Sequence, residues 1–275
     1  MKSVIKMSLL GLLAMGLLAS CKKENPQEDE RSYTETAFGL DMRMAYVEGG
    51  TFKMEATSEQ GKDAKDDEKP VREVKLNSYY IGKYEVTQSQ WEKVMGTTLE
   101  EQLALSDFSE RGIVGEGSDY PMYYVSWQDA KAFCDSLSKR TGKKYVLPTE
   151  AMWEYAARGG NKSKHYKYSG SNSLGDVAWY EKNSKQKTHR VGTKRANELG
   201  ICDMSGNVWE WCSDWYASYD ENDTDNPQGP AREADRVARG GDWGNDARCY
   251  RVSYRGSVNP DYRGHNLGFR VAVLL

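Results

Sequence analysis

Three histidines are the whole complement of this 275-residue chain, and its five cysteines include no Cys-x-x-Cys pair. The second absence removes zinc and dithiol motifs of that kind. No block of basic residues with interleaved aromatics occurs, so nucleic acid is not an expected partner. Beyond the first twenty residues there is no apolar run long enough to span a bilayer, and mean hydropathy is -0.80. The C-terminal fifth lacks the cluster of nucleophile and general acid or base that an enzyme site shows. Phenylalanine is scarce, at 5, against 8 Trp, 18 Tyr and 26 Gly. That imbalance points to many turns and to cores built from amphipathic aromatics, whose polar tips need partners.

What is present begins with a leader. Lys2 and Lys6 precede a short apolar stretch, Met7 to Ala19, too short for a stable span. It ends in Leu18-Ala19-Ser20-Cys21, which looks like a bacterial lipobox. The reading is a signal peptide over residues 1–20 and a lipid on Cys21, holding the protein to a membrane without spanning it. Formal net charge is -3, and drops by two to -5 when Lys2 and Lys6 leave. Residues 21–40 read as the lipidated Cys and a solvated tether with little apolar content to bury, and the folded domain as 41–275, starting near Asp41. The expected location is the cell envelope, lipid-anchored at the outer membrane, on its periplasmic face or the cell surface. In that oxidising setting Cys134, Cys202, Cys212 and Cys249 allow three pairings, among which sequence does not choose.

Within the domain, Met44 to Met54 reads as two short strands around Gly49-Gly50, and Val71 to Leu76 alternates like a half-buried strand. Between them lies a charged stretch, Glu55 to Lys69, read as a solvated loop. Thr87, Ser126 and Thr149 are placed to cap three helices. Their apolar stripes are Trp91, Val94 and Met95; then Ala130, Phe133, Cys134 and Leu137; then Trp153, Ala156 and Ala157. Gly142 ends the second and Gly159-Gly160 the third, after which only short strands and loops are expected.

The tail carries a frame of Gly, Trp and Arg: Arg239-Gly240-Gly241-Asp242-Trp243, Arg251-Val252-Ser253-Tyr254-Arg255, Pro260-Asp261-Tyr262-Arg263 and Gly268-Phe269-Arg270. Between the frame residues sit short polar and aromatic side chains, the composition of adaptable binding surfaces. Trp243, Asn245, Asp246, Tyr250, Tyr254, Tyr262 and His265 are the expected ligand-binding face. Arg239, Arg251, Arg255 and Arg270 are read as scaffold, each tied to a carboxylate or carbonyl.

Leu147 to Gly160, and Asp203-Met204-Ser205-Gly206-Asn207-Val208-Trp209-Glu210-Trp211, resemble the formylglycine-generating-enzyme, or sulfatase-modifying-factor, family. Gly49-Gly50-Thr51-Phe52, Tyr84-Glu85-Val86-Thr87 and Val125 to Ala130 follow the family order. The resemblance implies an α+β, C-type-lectin-like fold with little regular structure: a few helices in the N-terminal half, short strands and loops after them. It implies a structural calcium on the side chains of Asp203 and Glu210 and the carbonyls of Gly206 and Val208, hard oxygen donors of the kind calcium takes. The bland reading of Asp203 and Glu210 is a pairing with nearby arginines. For activity it implies a copper oxidase with two thiolates. The matching positions here are Asn245 and Tyr250, with Cys249 one residue off.

The tail also resembles the variable proteins of diversity-generating retroelements, whose variable positions arise by substitution of adenines in Asn-type codons. Asn, Tyr, Asp, His, Ser, Cys, Gly, Arg and Val lie within that set, and the residues between the frame elements all belong to it. Polar loops favour several of the same residues for local reasons. The leading expectation is a non-catalytic binding module for an unidentified protein or carbohydrate ligand. The alternative is an oxidase that converts a sulfatase Cys to formylglycine, with copper at Cys249; a third is a scaffold component of an export apparatus.

Overall fold

The computed structural model describes residues 29–107 and 109–275. The leader, Cys21 and most of the tether lie outside the described residues. Among the described residues eleven strands form three sheets: β1 (Tyr33–Glu35), β2 (Met42–Val47), β3 (Gly50–Met54), β4 (Arg72–Leu76), β5 (Tyr79–Gly82), β6 (Lys144–Val146), β7 (Trp209–Trp215), β8 (Arg236–Arg239), β9 (Arg255–Val258), β10 (Leu267–Gly268) and β11 (Ala272–Leu274). One sheet runs β1-β2-β5-β11-β6, all antiparallel. A second runs β10-β7-β8-β9, with a parallel β10–β7 pair. The third is the β3–β4 hairpin.

The expected boundary at Asp41 is corrected by β1. Tyr33 and Glu35 pair with Met44 and Met42, and Glu35 is buried, its carboxylate bound by Lys143 and the Tyr145 hydroxyl. A segment that is mostly polar therefore folds, because its backbone completes a sheet edge and its one buried charge is paired.

Among the described residues five α-helices accompany the sheets: α1 (Gln88–Met95), α2 (Leu99–Ala104), α3 (Trp127–Thr141), α4 (Glu150–Ala157) and the one-turn α5 (Leu174–Val177). Thr87, Ser126 and Thr149 cap α1, α3 and α4 as read, each side chain accepting an N–H of the first turn. The first two complete reciprocal capping boxes with Gln90 and Asp129. Gly142, in the left-handed conformation, ends α3.

Strand alternation divides the interior. On β2, Met42 and Met44 enter one core with Trp91, Phe133 and Phe269, while Ala45 and Val47 enter another with Trp153, Ile81 and Val252. On β7, Trp211 and Cys212 divide in the same way, as do Ala238 and Val237 on β8. Sheets buried on both faces explain why these strands lack a clean polar alternation.

The charged stretch Glu55 to Lys69 is only partly solvated: Lys62, Asp63, Lys65, Asp66 and Lys69 are exposed, but three polar side chains turn inward. Glu55, Gln60 and Glu68 are each 0 % exposed. Glu68 holds Arg251 through both guanidinium Nη atoms and accepts the Ser253 hydroxyl at 2.6 Å. At the other end Arg158 binds Glu59 and the Glu55 carbonyl. The loop is folded inward by partners distant in sequence, which no local pattern reports.

Candidate functional site at the C-terminal face

The four arginines read as scaffold, Arg239, Arg251, Arg255 and Arg270, are buried and matched. Arg239 is paired with Glu154 and faces Glu150 at 3.3 Å; Arg255 binds Glu150 through Nε and Nη2 at 2.7 and 2.8 Å. Arg270 clamps Glu210 with two bonds of 2.6 Å. Glu150 and Glu154 stand one turn apart on α4, so the Thr-Glu-x-x-x-Glu spacing of that helix docks two strands of the tail at once. The neighbouring guanidinium groups of Arg255 and Arg239 hold the Glu150 carboxyl below its ordinary range against the opposing effect of burial. Such planar, bidentate pairs fix orientation as well as charge.

This frame supports the loop from Gly240 to Tyr250. Gly241 has φ +76, and a Cβ there would meet the Tyr250 ring at 2.8 Å, so only glycine lets the ring close over the turn. Tyr250 is 0 % exposed. Its hydroxyl donates to the carbonyls of Asp242 and of Asn245, the latter at 2.8 Å. The expectation that Tyr250 belongs to a binding face is therefore wrong: the residue locks the loop from beneath, because a phenol that finds two carbonyl acceptors can be buried whole. Asn245 is half-buried and accepts the Asp242 N–H, a turn-forming role.

The remaining residues of the expected face fall into two patches. In the first, Lys65 donates to the Tyr254 hydroxyl at 2.7 Å, Trp209 packs on the Tyr254 ring, and the half-buried Cys249 lies beside the same hydroxyl. Burial pushes the Cys249 thiol above its ordinary value. Asp246 is exposed and paired with Arg248 at 2.7 Å. In the second patch Trp243 and His265 have ring centroids 5.5 Å apart, and Asn266 donates to Asp242 at 2.6 Å. Tyr262 and Arg111 border it. Burial, then the charge of Arg111, lowers the His265 pKa and keeps the ring neutral near pH 7. Trp243 is more enclosed than the sequence reading had it, at 9 % exposed.

Sequence reasoning missed Lys65 and Arg111, which arrive from connections far from the tail. It placed Asp242 in the tail frame without giving it a role on this face, and left Asn266 among the unnamed residues between the frame elements. For Asp242 the available signal was its place between Gly241 and Trp243; Asn266, between His265 and Leu267, carries no such mark.

The residues proposed for calcium come together but do not form a cage. Both oxygens of Glu210 are taken, by Arg270 and by the Trp153 indole N–H at 2.7 Å. Asp203 accepts the Gly192 N–H at 2.6 Å through one oxygen and leaves the other unpartnered. Glu85 completes the group, bound by the Asn207 amide and the Val208 N–H. Among the described residues no set of three or more His, Cys, Asp or Glu side chains is arranged to hold a metal ion. As arranged, these donors do not fit calcium, and the arginine pairing fits Glu210. The second copper-ligand position is likewise filled by the buried Tyr250, whose donor chemistry is not that of a thiolate.

A small domain of this build, with three sheets, capped helices and a tail docked by buried Arg–carboxylate pairs, has a C-type-lectin-like fold of the formylglycine-generating-enzyme kind. Residues 32–275 match the model of the sulfatase-modifying factor enzyme 1-like domain, and the chain belongs to that family. Chaperone protein LppX of Paenibacillus barcinonensis is 34% identical over 278 residues, covering 83% of this chain and 88% of the relative. The formylglycine-generating enzyme of Streptomyces coelicolor is 40% identical over 171 residues, covering 56% of this chain and 52% of the enzyme. Among solved structures, Treponema denticola variable protein 1 superposes with a TM-score of 0.74 at 30% identity, covering 89% of this chain and 99% of that protein. The match from residue 32 agrees with the early start of the fold at β1.

Proposed function

We propose that the chain is a lipid-anchored cell-envelope protein whose sulfatase-modifying-factor-like domain binds a partner protein through the C-terminal face, without catalysing formylglycine formation. The observation that carries this reading is Tyr250. A copper oxidase of the implied type needs two thiolates, and the second thiolate position is a tyrosine wedged against Gly241 and bonded to two carbonyls. Cys249 is half-buried beside Tyr254, and Cys134, Cys202 and Cys212 are buried elsewhere. The likeness to variable protein 1 and to a relative named as a chaperone supports partner binding. Leu18 to Cys21 supports the anchor, and no helix among the described residues is long and apolar enough to cross a membrane.

The test is Cu(I) binding by the purified protein under reducing conditions, followed by oxidation of a Cys-x-Pro-x-Arg peptide. We expect neither. Tight Cu(I) binding with turnover overturns the reading and makes Cys249 catalytic.

A further inference from the structure

Several buried polar atoms have no hydrogen-bond partner among the described residues. Some belong to ion pairs: Glu55 Oε1 faces Arg72 Nε at 3.1 Å, and Arg239 Nε faces Glu150 Oε1 at 3.3 Å. Others are Gln60 Nε2, Asp67 Oδ1, Asp203 Oδ1 and Arg236 Nε. Three share one patch. Trp243 Nε1, His265 Nδ1 and Asn266 Oδ1 are unpartnered, and all three belong to the second patch of the C-terminal face. Trp243 is 9 % exposed, so its N–H is withdrawn from bulk water. Leaving one such group unmet costs about 1–3 kcal/mol. Asn266 cannot turn to relieve the mismatch, because its amide nitrogen is committed to Asp242 at 2.6 Å. The indole N–H makes no bond to Asp242, whose carboxylate oxygens accept the Gly244 N–H and the Asn266 amide.

The set is one fixed donor, one fixed acceptor and a neutral imidazole nitrogen. A peptide group supplies the complement, with its C=O accepting from Trp243 Nε1 and an N–H donating to Asn266 Oδ1. Beside the patch stands Arg111, which is exposed and has no ion pair among the described residues, while its charge reaches His265, Tyr262 and Tyr124. A carboxylate next to the bound peptide group would meet that charge. Asp242 is an acidic side chain within the patch, held by two neutral donors, and Arg111 is the cation beside it.

We infer that Trp243, His265 and Asn266 form a subsite for a main-chain peptide group of a partner protein, with Arg111 selecting an adjacent Asp or Glu. The inference rests on the binding reading above and narrows it to an acidic, extended segment. Recognition through main-chain groups gives affinity without demanding one side-chain sequence, and the charge beside it adds the preference.

Selective 15N-tryptophan labelling of the full chain leaves eight indole signals, and Trp243→Phe assigns one of them. The probes are N-acetyl-aspartate N-methylamide, its asparagine analogue, acetate and galacturonate. The Trp243 indole signal is expected to shift with both amides, with a millimolar Kd about 5- to 10-fold tighter for the aspartate form. Arg111→Ala is expected to abolish that preference and keep both amides bound. Trp243→Phe keeps an aromatic ring while losing the N–H with the pyrrole part of the indole, and is expected to weaken the aspartate amide about 5- to 10-fold, followed through the methyl signal of the probe. No indole shift with either amide at about 100 mM overturns the subsite. Binding of galacturonate alone also overturns it and points to an acidic saccharide. An unchanged Kd in Trp243→Phe overturns the role of the N–H. If the amides fail while partner capture still depends on Tyr254 and Tyr262, the subsite falls and the binding reading stands.

Discussion

Neutralising Glu68 tests whether the charged stretch before β4 is held by the tail. Glu68 and Arg251 are both 0 % exposed and share two bonds; Ser253 and the Lys65 N–H add two more to the same carboxylate. The Arg251 and Ser253 bonds hold the Glu68 carboxyl below its ordinary range although burial opposes them. Glu68→Gln keeps the shape and leaves the guanidinium buried without its counter-charge. Losing one partner of a buried pair costs about 3–5 kcal/mol. A domain of this size loses about 2–4 °C per kcal/mol, so the melting temperature should fall by about 6–20 °C. The double variant Glu68→Gln/Arg251→Met should recover most of that loss, because an uncharged pair of similar volume carries no desolvation debt. Trypsin should also cleave Glu68→Gln faster at Lys62 and Lys65, read on gels under native conditions, since the loop loses its anchor. A drop below about 3 °C, or a double variant as unstable as the sum of the singles, would refute the claim that this pair holds the loop.

Tyr250→Ala should cost about 3–5 kcal/mol in urea unfolding, whereas Tyr254→Ala and Tyr262→Ala should stay below about 1.5 kcal/mol and abolish partner capture. The reverse pattern would return Tyr250 to the surface. For pH, burial and then Glu154 push Glu55 up to about 8, and burial and then Glu150 push Asp214 up to about 7. Both folded values lie above the ordinary 4.5 and 3.8, so their contribution is complete below those values and is lost as pH rises through 7 to 8. The melting temperature should therefore decline from pH 6 to pH 9 and Glu55→Gln should flatten that decline; an unchanged slope in the variant would sink the assignment.

Much of this fold could be read locally, because its signals are local. Thr87, Ser126 and Thr149 announce helices by capping chemistry, and Gly142 announces an end, within a turn of where each acts. The scaffold role of the tail arginines was also legible, since a guanidinium recurring in an apolar frame must be paired if it is buried. Glu68 and Glu59 carry no such mark. Their burial follows from Arg251 and Arg158, about a hundred or more residues away in sequence, and an acidic stretch paired at that distance looks the same as a solvated one. Tyr250 was misplaced for a related reason. Composition grouped it with Tyr254 and Tyr262, and only the turn at Gly240-Gly241 turns its ring inward. The site's polar complement was least legible, because it depends on which N–H and C=O groups the fold leaves unmet.

The same reasoning bears on calcium. A cation that binds the folded state raises its melting temperature by mass action, about 2.7 kcal/mol at a hundredfold excess over Kd. Here Glu210 already has a cation: Arg270 is fully buried, anchored by the Gly82 and Cys202 carbonyls as well, and cannot leave without abandoning four hydrogen bonds. For calcium to take Glu210, that guanidinium would have to give up its two bonds to this carboxylate, with only the single unpartnered oxygen of Asp203 and the already bound Glu85 left in the same group. The melting temperature should thus differ by less than about 1 °C between millimolar calcium and excess chelator, and Glu210→Gln should cost about 3–5 kcal/mol in either. A rise of several degrees with calcium that disappears in Glu210→Gln would show that the metal, and not Arg270, neutralises this carboxylate.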